Sequence, residues 1–267
     1  MTGAIDAHVH VWPVGAPGNQ PARFTPEEFL AESRLCGVGR AVLVQFSACG
    51  LDHAYLLEAI RRHPGVFSGV GTVDAGTSHP EAAMMELARQ GIRGFRIVSS
   101  ASPETWPDTP GIAAVWRRAA EHRLAMRLLI DSAALPALGR MCARFPDTPV
   151  VIDHLARIGF DGRIDDADVR ALCRLAMYPN VGVKVSAFYA LGRKQPPYTD
   201  LAPFIRRVFE HYGPRRLMWG SDAPFQMQGG HTYAASIALI REHLAFLSDA
   251  DRACLLATTA ERLFFTR

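Results

Sequence analysis

The sequence has no apolar stretch long enough to cross a membrane, because every such run falls far short of the ~18–20 residues that a membrane helix needs. Its first residues, MTGAIDAHVHVWP, contain neither a basic region nor an apolar core, so they do not resemble a secretory signal. Asp6 and two histidines interrupt this segment instead. We therefore predict a cytoplasmic protein with no membrane partner.

Paired cysteines and basic runs are missing as well. The cysteines are five in number, without CxxC spacing: Cys36, Cys49, Cys142, Cys173 and Cys254. This pattern predicts reduced thiols rather than disulfides or a sulfur metal site. Basic residues cluster only in pairs, and 29 Lys+Arg against 26 Asp+Glu give a net charge of +3. A nucleic-acid partner is therefore not expected.

Short apolar runs alternate with longer helical patterns along the whole chain. The runs cover residues 5–9, 41–46, 67–73, 92–98, 124–130, 150–154, 181–185 and 217–219. Such continuous apolar strands are typical of a parallel sheet that is buried on both faces. Eight strands, each followed by a helix, predict an α/β protein with a single, distorted (β/α)₈ TIM barrel over residues 1–267. The alternative is an open doubly wound sheet, but the Gly-rich turn that usually follows its first strand is missing.

The helical segments have recognisable starts. Thr25 precedes Pro26, and Glu28 stands at the capping-box position; Ser78 and Glu81 repeat this spacing. Further helices are predicted at residues 52–62, 111–122, 133–144, 167–177, 201–212, 233–246 and 249–264. Three Pro/Gly-rich loops, 13–26, 99–111 and 187–200, follow strand ends. In a barrel these loops border the active face, and they bring aromatic and basic residues there: Trp106, Tyr189, Arg193, Lys194 and Tyr198.

Polar residues occur in or beside most of the apolar runs. They are His8, His10, Gln45, Asp74, Arg96, Arg127, His154, Lys184 and Asp222. Packing alone does not explain such a set, because each buried polar group needs a partner. We therefore predict a site at the carboxyl ends of the strands, where this set would gather.

His8 and His10 form the sharpest local motif. Residues two apart on a strand point to the same face, so both imidazoles can form half of a zinc site. By the same alternation, His154 is expected to face the site and its neighbour Asp153 to point outward. Two hydrogen-bonded strand histidines remain the alternative to the metal. Asp222 becomes a credible base only in combination with the histidines.

Three cationic residues lie within the predicted strands. Lys184 must either reach the mouth of the barrel or pair with a carboxylate. Arg127 lies deeper in its strand, where a structural ion pair is expected. Arg96 lies nearer the open end and is the better candidate for an anionic ligand, because a guanidinium suits a carboxylate bidentately.

Five segments in this order and spacing resemble the amidohydrolase superfamily: IDAHVHVW, GFRIVSS, VVIDHLAR, NVGVKVSAFY and RLMWGSDAPF. They are most similar to its branch of lactone hydrolases, which holds 2-pyrone-4,6-dicarboxylate lactonase and the fucono- and rhamnonolactonases. The closing TTAERLFF is similar to the family's last helix, with Thr259 where Asn is common. The resemblance covers essentially the whole chain and implies a (β/α)₈ barrel.

The resemblance also implies roles for individual residues. His8, His10 and His154 match the metal-site histidines, and Asp222 matches the aspartate that takes a proton from the attacking water. Arg96 and Arg127 stand where many relatives carry a bridging lysine or glutamate and a further histidine. This departure implies one divalent cation at most, zinc or none, rather than two; its expected ligands are His8 and His10, with help from His154 or Asp222.

The expected activity is hydrolysis of a small carboxylated or sugar lactone. The expected catalytic residues are Asp222, His8, His10, His154 and Lys184; Arg96, Arg127, Gln45 and Tyr189 are expected to bind the substrate. The alternatives are a related nonoxidative decarboxylase of a small aromatic acid and a catalytically silent barrel. The sequence leaves the oligomeric state open, a homo-oligomer included.

Overall fold

The computed structural model describes residues 3–16, 23–97 and 109–266. Eight parallel strands pair in chain order: β1 (Ala4–Val9), β2 (Val38–Val44), β3 (Phe67–Thr72), β4 (Ile92–Ile97), β5 (Ala125–Leu128), β6 (Val150–Ile152), β7 (Val181–Ser186) and β8 (Leu217–Gly220). The predicted (β/α)₈ barrel is thereby confirmed, and the doubly wound alternative is wrong. Val98, at the predicted end of β4, and the loop residue Trp106 lie outside the described residues.

The barrel closes between β1 and β8 through a short set of backbone hydrogen bonds. The backbone N–H of Asp222 donates to the carbonyl of His8 at 2.9 Å, and that of His10 donates to Ala223 at 2.8 Å. Below them, the buried Asp6 carboxylate accepts hydrogen bonds from the backbone N–H groups of His8 and Ser221. Burial raises the pKa of Asp6 to about 6, although these hydrogen bonds oppose the shift. Hydrogen bonds to the Asp6 carboxylate thus extend the short backbone pairing between β1 and β8.

Ten helices surround the described part of the barrel: α1 (Pro26–Leu35), α2 (Ala54–Arg62), α3 (Pro80–Arg89), α4 (Pro110–His122), α5 (Leu135–Arg144), α6 (Asp166–Arg174), α7 (Ala202–Tyr212), α8 (Tyr233–Ala238), α9 (Asp249–Ala253) and α10 (Thr259–Phe264). The capping box of Thr25 and Glu28 at α1 is confirmed. The box predicted at Ser78 is wrong, because α3 begins one residue later and its N-cap, His79, makes no capping bond. None of the described helices is long and apolar enough to span a membrane.

Two apolar cores position the site. The larger lies between the strands and the outer helices, with Phe29, Trp116 and Leu138 buried in it. The smaller fills the lower part of the barrel, where Val42, Val70 and other strand residues pack against Phe264 of α10. Apolar packing thus closes the amino end of the barrel, and the buried residues His10, Arg96, His154 and Asp222 lie toward the carboxyl ends of the strands.

Candidate active site

Three histidines and one aspartate converge at the carboxyl ends of β1, β6 and β8. Nε2 of His8 lies 3.1 Å from Nε2 of His10. Asp222 Oδ1 lies 3.5 Å from the former atom and 3.4 Å from the latter. Nε2 of His154 lies 3.9 Å from the same oxygen. The ligand atoms of His8, His154 and Asp222 are all within 4.8 Å of one another, so this group has the spacing to hold a metal ion.

A left-handed turn after β6 presents His154 to this cluster. Residues 154–157 have φ values of 51°, 52°, 55° and 55°. Each L-residue in this conformation costs roughly 1–2 kcal/mol, so the turn is strained backbone at the site. The turn also explains a wrong prediction. Asp153 faces the barrel interior, on the same side as Val151, because strand alternation continues through Asp153; the left-handed turn then brings His154 to the site as well.

Asp153 is the centre of a buried charged layer beneath the cluster. Its carboxylate pairs with Arg127, lies 3.7 Å from Lys184 Nζ and lies 3.6 Å from Arg96 Nη2. Arg96 and Arg127 are partners in register on β4 and β5, so the two cations need this shared anion. Burial opposes ionisation of Asp153, but Arg127 and Lys184 hold its pKa well below the usual range.

Lys184 lies in this layer and not at the mouth of the barrel. The chain has only two lysines, and this one is fully buried. Its Nζ donates to the carbonyl of Ala7 and lies beside Asp153. Burial, and then Arg127, lowers the pKa of Lys184 well below its usual value. Lys184 was expected either to reach the mouth of the barrel or to pair with a carboxylate, and the structure places it beside the carboxylate of Asp153.

The pKa shifts at the cluster favour uncharged histidines and an ionised Asp222 at neutral pH. Burial lowers the pKa of His154 to about 4, although Asp222 opposes the shift. Burial also lowers the pKa of His10, and burial with Lys184 lowers that of His8 further. Burial raises the pKa of Asp222, but His154 and His10 outweigh it and leave that pKa below its usual value.

A cavity of about 270 Å³ opens above the cluster. It is lined by His10, Phe46, Ser47, Arg96, Leu129, His154, Arg157, Phe160, Ala187, Tyr189, Ala190, Leu191, Asp222 and Phe225. Aromatic rings form one wall: Phe46 stacks on Trp12 and lies against Phe225. Arg96, Arg157 and Ser47 bring cationic and hydroxyl groups to the same space.

The chain matches the model of the amidohydrolase family, described as "Amidohydrolase", over residues 5–266. It is an amidohydrolase. L-fucono-1,5-lactonase from Burkholderia ambifaria is 31% identical, over 86% of this chain and 83% of that protein. 2-pyrone-4,6-dicarbaxylate hydrolase from Comamonas testosteroni is 29% identical, over 83% and 77%. A Pseudomonas putida crystal structure, described as a 2-pyrone-4,6-dicarboxylic acid hydrolase, has a TM-score of 0.83 at 28% identity, covering 99% of this chain and 98% of its own.

Not every residue predicted for the site of this amidohydrolase lines its cavity. His10, Arg96, His154, Tyr189 and Asp222 do. The remaining predicted residues, His8, Gln45, Arg127 and Lys184, are buried around or beneath it and are not among the lining residues. Gln45 holds the loop after β2, because its Nε2 donates to the carbonyls of Gly50 and Asp52. Tyr189 donates its hydroxyl to Oδ2 of Asp222 at 2.8 Å.

Arg157 is the charged residue of the cavity lining that the sequence did not single out. It lies three residues after His154, and the left-handed turn brings both side chains to the cavity. Its guanidinium is 4.5 Å from the ring centroid of Phe160 and 3.3 Å from Asp131 Oδ1. The segment DHLAR carried the only available signal, a second cationic residue just past a site histidine.

Proposed function

We propose that this amidohydrolase is a lactonase that opens a small anionic lactone with a water activated by Asp222. The observation that carries the proposal is the position of Asp222, an ionised carboxylate at the floor of the cavity. Hydrolysis of an ester bond needs a water, a base and positive charge near the carbonyl oxygen. Named relatives of the chain act on lactones. We also propose that residues 1–267 act as one domain.

The charge of the cavity favours an anionic substrate over a polyhydroxylated one. Arg96 is 3% exposed, and its Nε has no hydrogen-bond partner among the described residues. A guanidinium with free donors binds a carboxylate through charge-assisted hydrogen bonds. Arg157 adds a second cation at the rim. The aromatic wall of Phe46 and Phe225 suits a flat ring better than a sugar, whose hydroxyl groups would need polar partners there.

We propose that the centre takes at most one divalent cation. Tetrahedral zinc with ligand bonds of ~2.0–2.1 Å separates its ligand atoms by roughly 3.3 Å. The 3.4 and 3.5 Å spacings to Asp222 Oδ1 suit one such ion. A second cation would meet Arg96 and Arg127, whose charges repel it. Bound zinc would act as a Lewis acid on the lactone carbonyl.

A pH-indicator assay over a lactone panel tests this function, run with and without a chelator. We expect acid release from carboxylated lactones, slower turnover of neutral sugar lactones, and no CO₂. Release of CO₂ from aromatic acids would identify a decarboxylase, and tight binding without turnover would identify a silent barrel. Either result would contradict the proposal. The chelator arm separates the zinc form from the metal-free form.

Arg96→Ala is expected to raise KM for a carboxylated lactone by roughly one to two decades, with a smaller effect on kcat. The physical reason is the loss of a hydrogen bond between charged groups, which costs about 1.5–3 kcal/mol. Turnover of a neutral lactone should change little. Steady-state kinetics of both substrates check this.

Arg163→Ala is the matched control, because Arg163 is an exposed arginine that does not line the cavity. Equal losses of Arg96→Ala on acidic and neutral lactones, with the circular dichroism unchanged, would show that Arg96 does not select an anion.

A further inference from the structure

Each ring nitrogen of the His8–His10 pair has a partner that assigns its proton. Nδ1 of His8 lies 3.1 Å from Nη2 of Arg127, and Nδ1 of His10 lies 2.9 Å from the carbonyl oxygen of Val44. We propose that Arg127 is a positioning residue that holds His8 in the tautomer with its proton on Nε2. Without a bound ion, the two histidines then form a hydrogen-bond chain with one direction.

The assignment at His8 follows from what a guanidinium is able to do. Arginine has five N–H donors and no acceptor, so Nδ1 of His8 must accept from Arg127 and carries no proton. Among the described residues, the only carboxylate paired with this nitrogen is that of Asp153, and its Oδ1 is 3.9 Å away, beyond hydrogen-bond distance. Neutral His8 therefore has its proton on Nε2, the atom that faces His10.

The assignment at His10 is independent and points in the same direction. A carbonyl oxygen only accepts, so Nδ1 of His10 carries the proton and donates to Val44. Nε2 of neutral His10 then carries no proton and has a free lone pair. It accepts the Nε2 proton of His8 across 3.1 Å. If this hydrogen-bond chain ran in the opposite direction, Nδ1 of His8 would carry a proton and would face an N–H donor of Arg127. Both side chains are fully buried, so water could not relieve this contact between two donors.

This arrangement bears on the metal. A cation bound by His8 needs the lone pair of Nε2, and that atom holds the proton. Ligating histidines in proteins donate their other ring N–H to a carbonyl or carboxylate, as His10 does, whereas the other nitrogen of His8 faces a donor. The group of His8, His154 and Asp222 thus has the spacing for a metal ion, but zinc would bind His8 only after the proton leaves Nε2, which weakens its binding.

The His8–His10 hydrogen-bond chain also has a consequence for catalysis, and this step rests on the proposed function. Asp222 Oδ1 lies 3.5 Å from Nε2 of His8, whose proton is donated to His10, while Tyr189 donates to Oδ2. The Tyr189 hydrogen bond, together with the partial positive charge of the nearby His8 N–H, favours the ionised form of the carboxylate. Arg127 does not line the cavity, so it would act on the base through His8 and through the field of its buried charge, and not by direct contact.

Nitrogen-15 NMR of the imidazole side chains in the full-length protein tests the tautomers directly. We expect His8 protonated at Nε2 and His10 protonated at Nδ1, with their signals assigned by their loss in His8→Gln and His10→Gln. A proton on Nδ1 of His8 would overturn the proposal. The measurement needs no substrate, so its result is independent of whether the protein has lactonase activity.

Zinc titration by calorimetry gives a second readout, on wild-type protein freed of metal by chelation. Arg127→Met removes the donor, lets the His8 proton move to Nδ1, and should tighten zinc binding by about tenfold or more. Arg127→Lys, which keeps a donor, should stay near wild type. Equal zinc affinities for wild type and Arg127→Met would count against the role of Arg127. If Arg127→Met does not fold, the NMR result on wild type decides alone.

Discussion

Replacing Asp222 by asparagine is expected to lower kcat by roughly 10²–10⁴-fold, the range typical of a lost general base. An amide has nearly the shape of the carboxylate, but it cannot take a proton from water. KM should change less, because Arg96 and the aromatic wall remain in place. The measurement is steady-state turnover of whichever lactone the panel identifies.

Asp147→Asn is the matched control, since Asp147 is exposed and lies outside this cavity. Circular dichroism should show the same fold for both variants. Turnover of Asp222→Asn within a factor of a few of wild type would remove Asp222 from the role of base. Loss of turnover in Asp147→Asn would show that the assay reports stability instead.

The second large effect is expected on stability. Asp153→Asn removes the anion shared by Arg127, Lys184 and Arg96, and leaves buried cations without a counter-charge. Breaking a buried ion pair from one side costs about 3–5 kcal/mol. That is a large part of the ~5–15 kcal/mol that holds a typical protein folded. The free energy of unfolding in urea should therefore fall sharply.

Two variants make this result specific. Adding Lys184→Met to Asp153→Asn removes one of the uncompensated cations and should recover part of the lost free energy. Asp131→Asn removes an exposed carboxylate from Arg157 and should change the stability little. A urea midpoint for Asp153→Asn within experimental error of wild type would show that the charged layer does not need its anion.

The strands were predictable from the sequence because parallel barrel strands are buried on both faces and read as apolar runs. The convergence of His8 and His10 followed from the two-residue repeat of a strand, and their Nε2 atoms do meet. The catalytic roles of these histidines and of Asp222 stay predictions, which the kinetic and NMR experiments address.

Other features could not be read from the sequence, for identifiable reasons. Asp153 was expected to point outward because alternation was counted from His154, but β6 ends at Ile152 and His154 lies in the turn beyond it. No residue type in 154–157 announces a left-handed turn, since none of the four is glycine, and so Arg157 was missed. Lys184 could reach the mouth of the barrel or pair with a carboxylate, and only the position of Asp153 in the folded barrel decides between the two.

Because the charged layer lies below the cavity, substrate specificity and the electrostatic potential of the site can be altered separately in this barrel. Specificity can be altered at the rim, where Phe160 is 51% exposed and Leu129 37% exposed, by exchanging loop residues of low structural cost. The electrostatic potential at the floor is set by groups that solvent does not reach, so new loops would inherit it unchanged. Libraries aimed at other anionic rings should therefore vary Leu129 and Phe160 and leave Asp153 and Arg127 fixed.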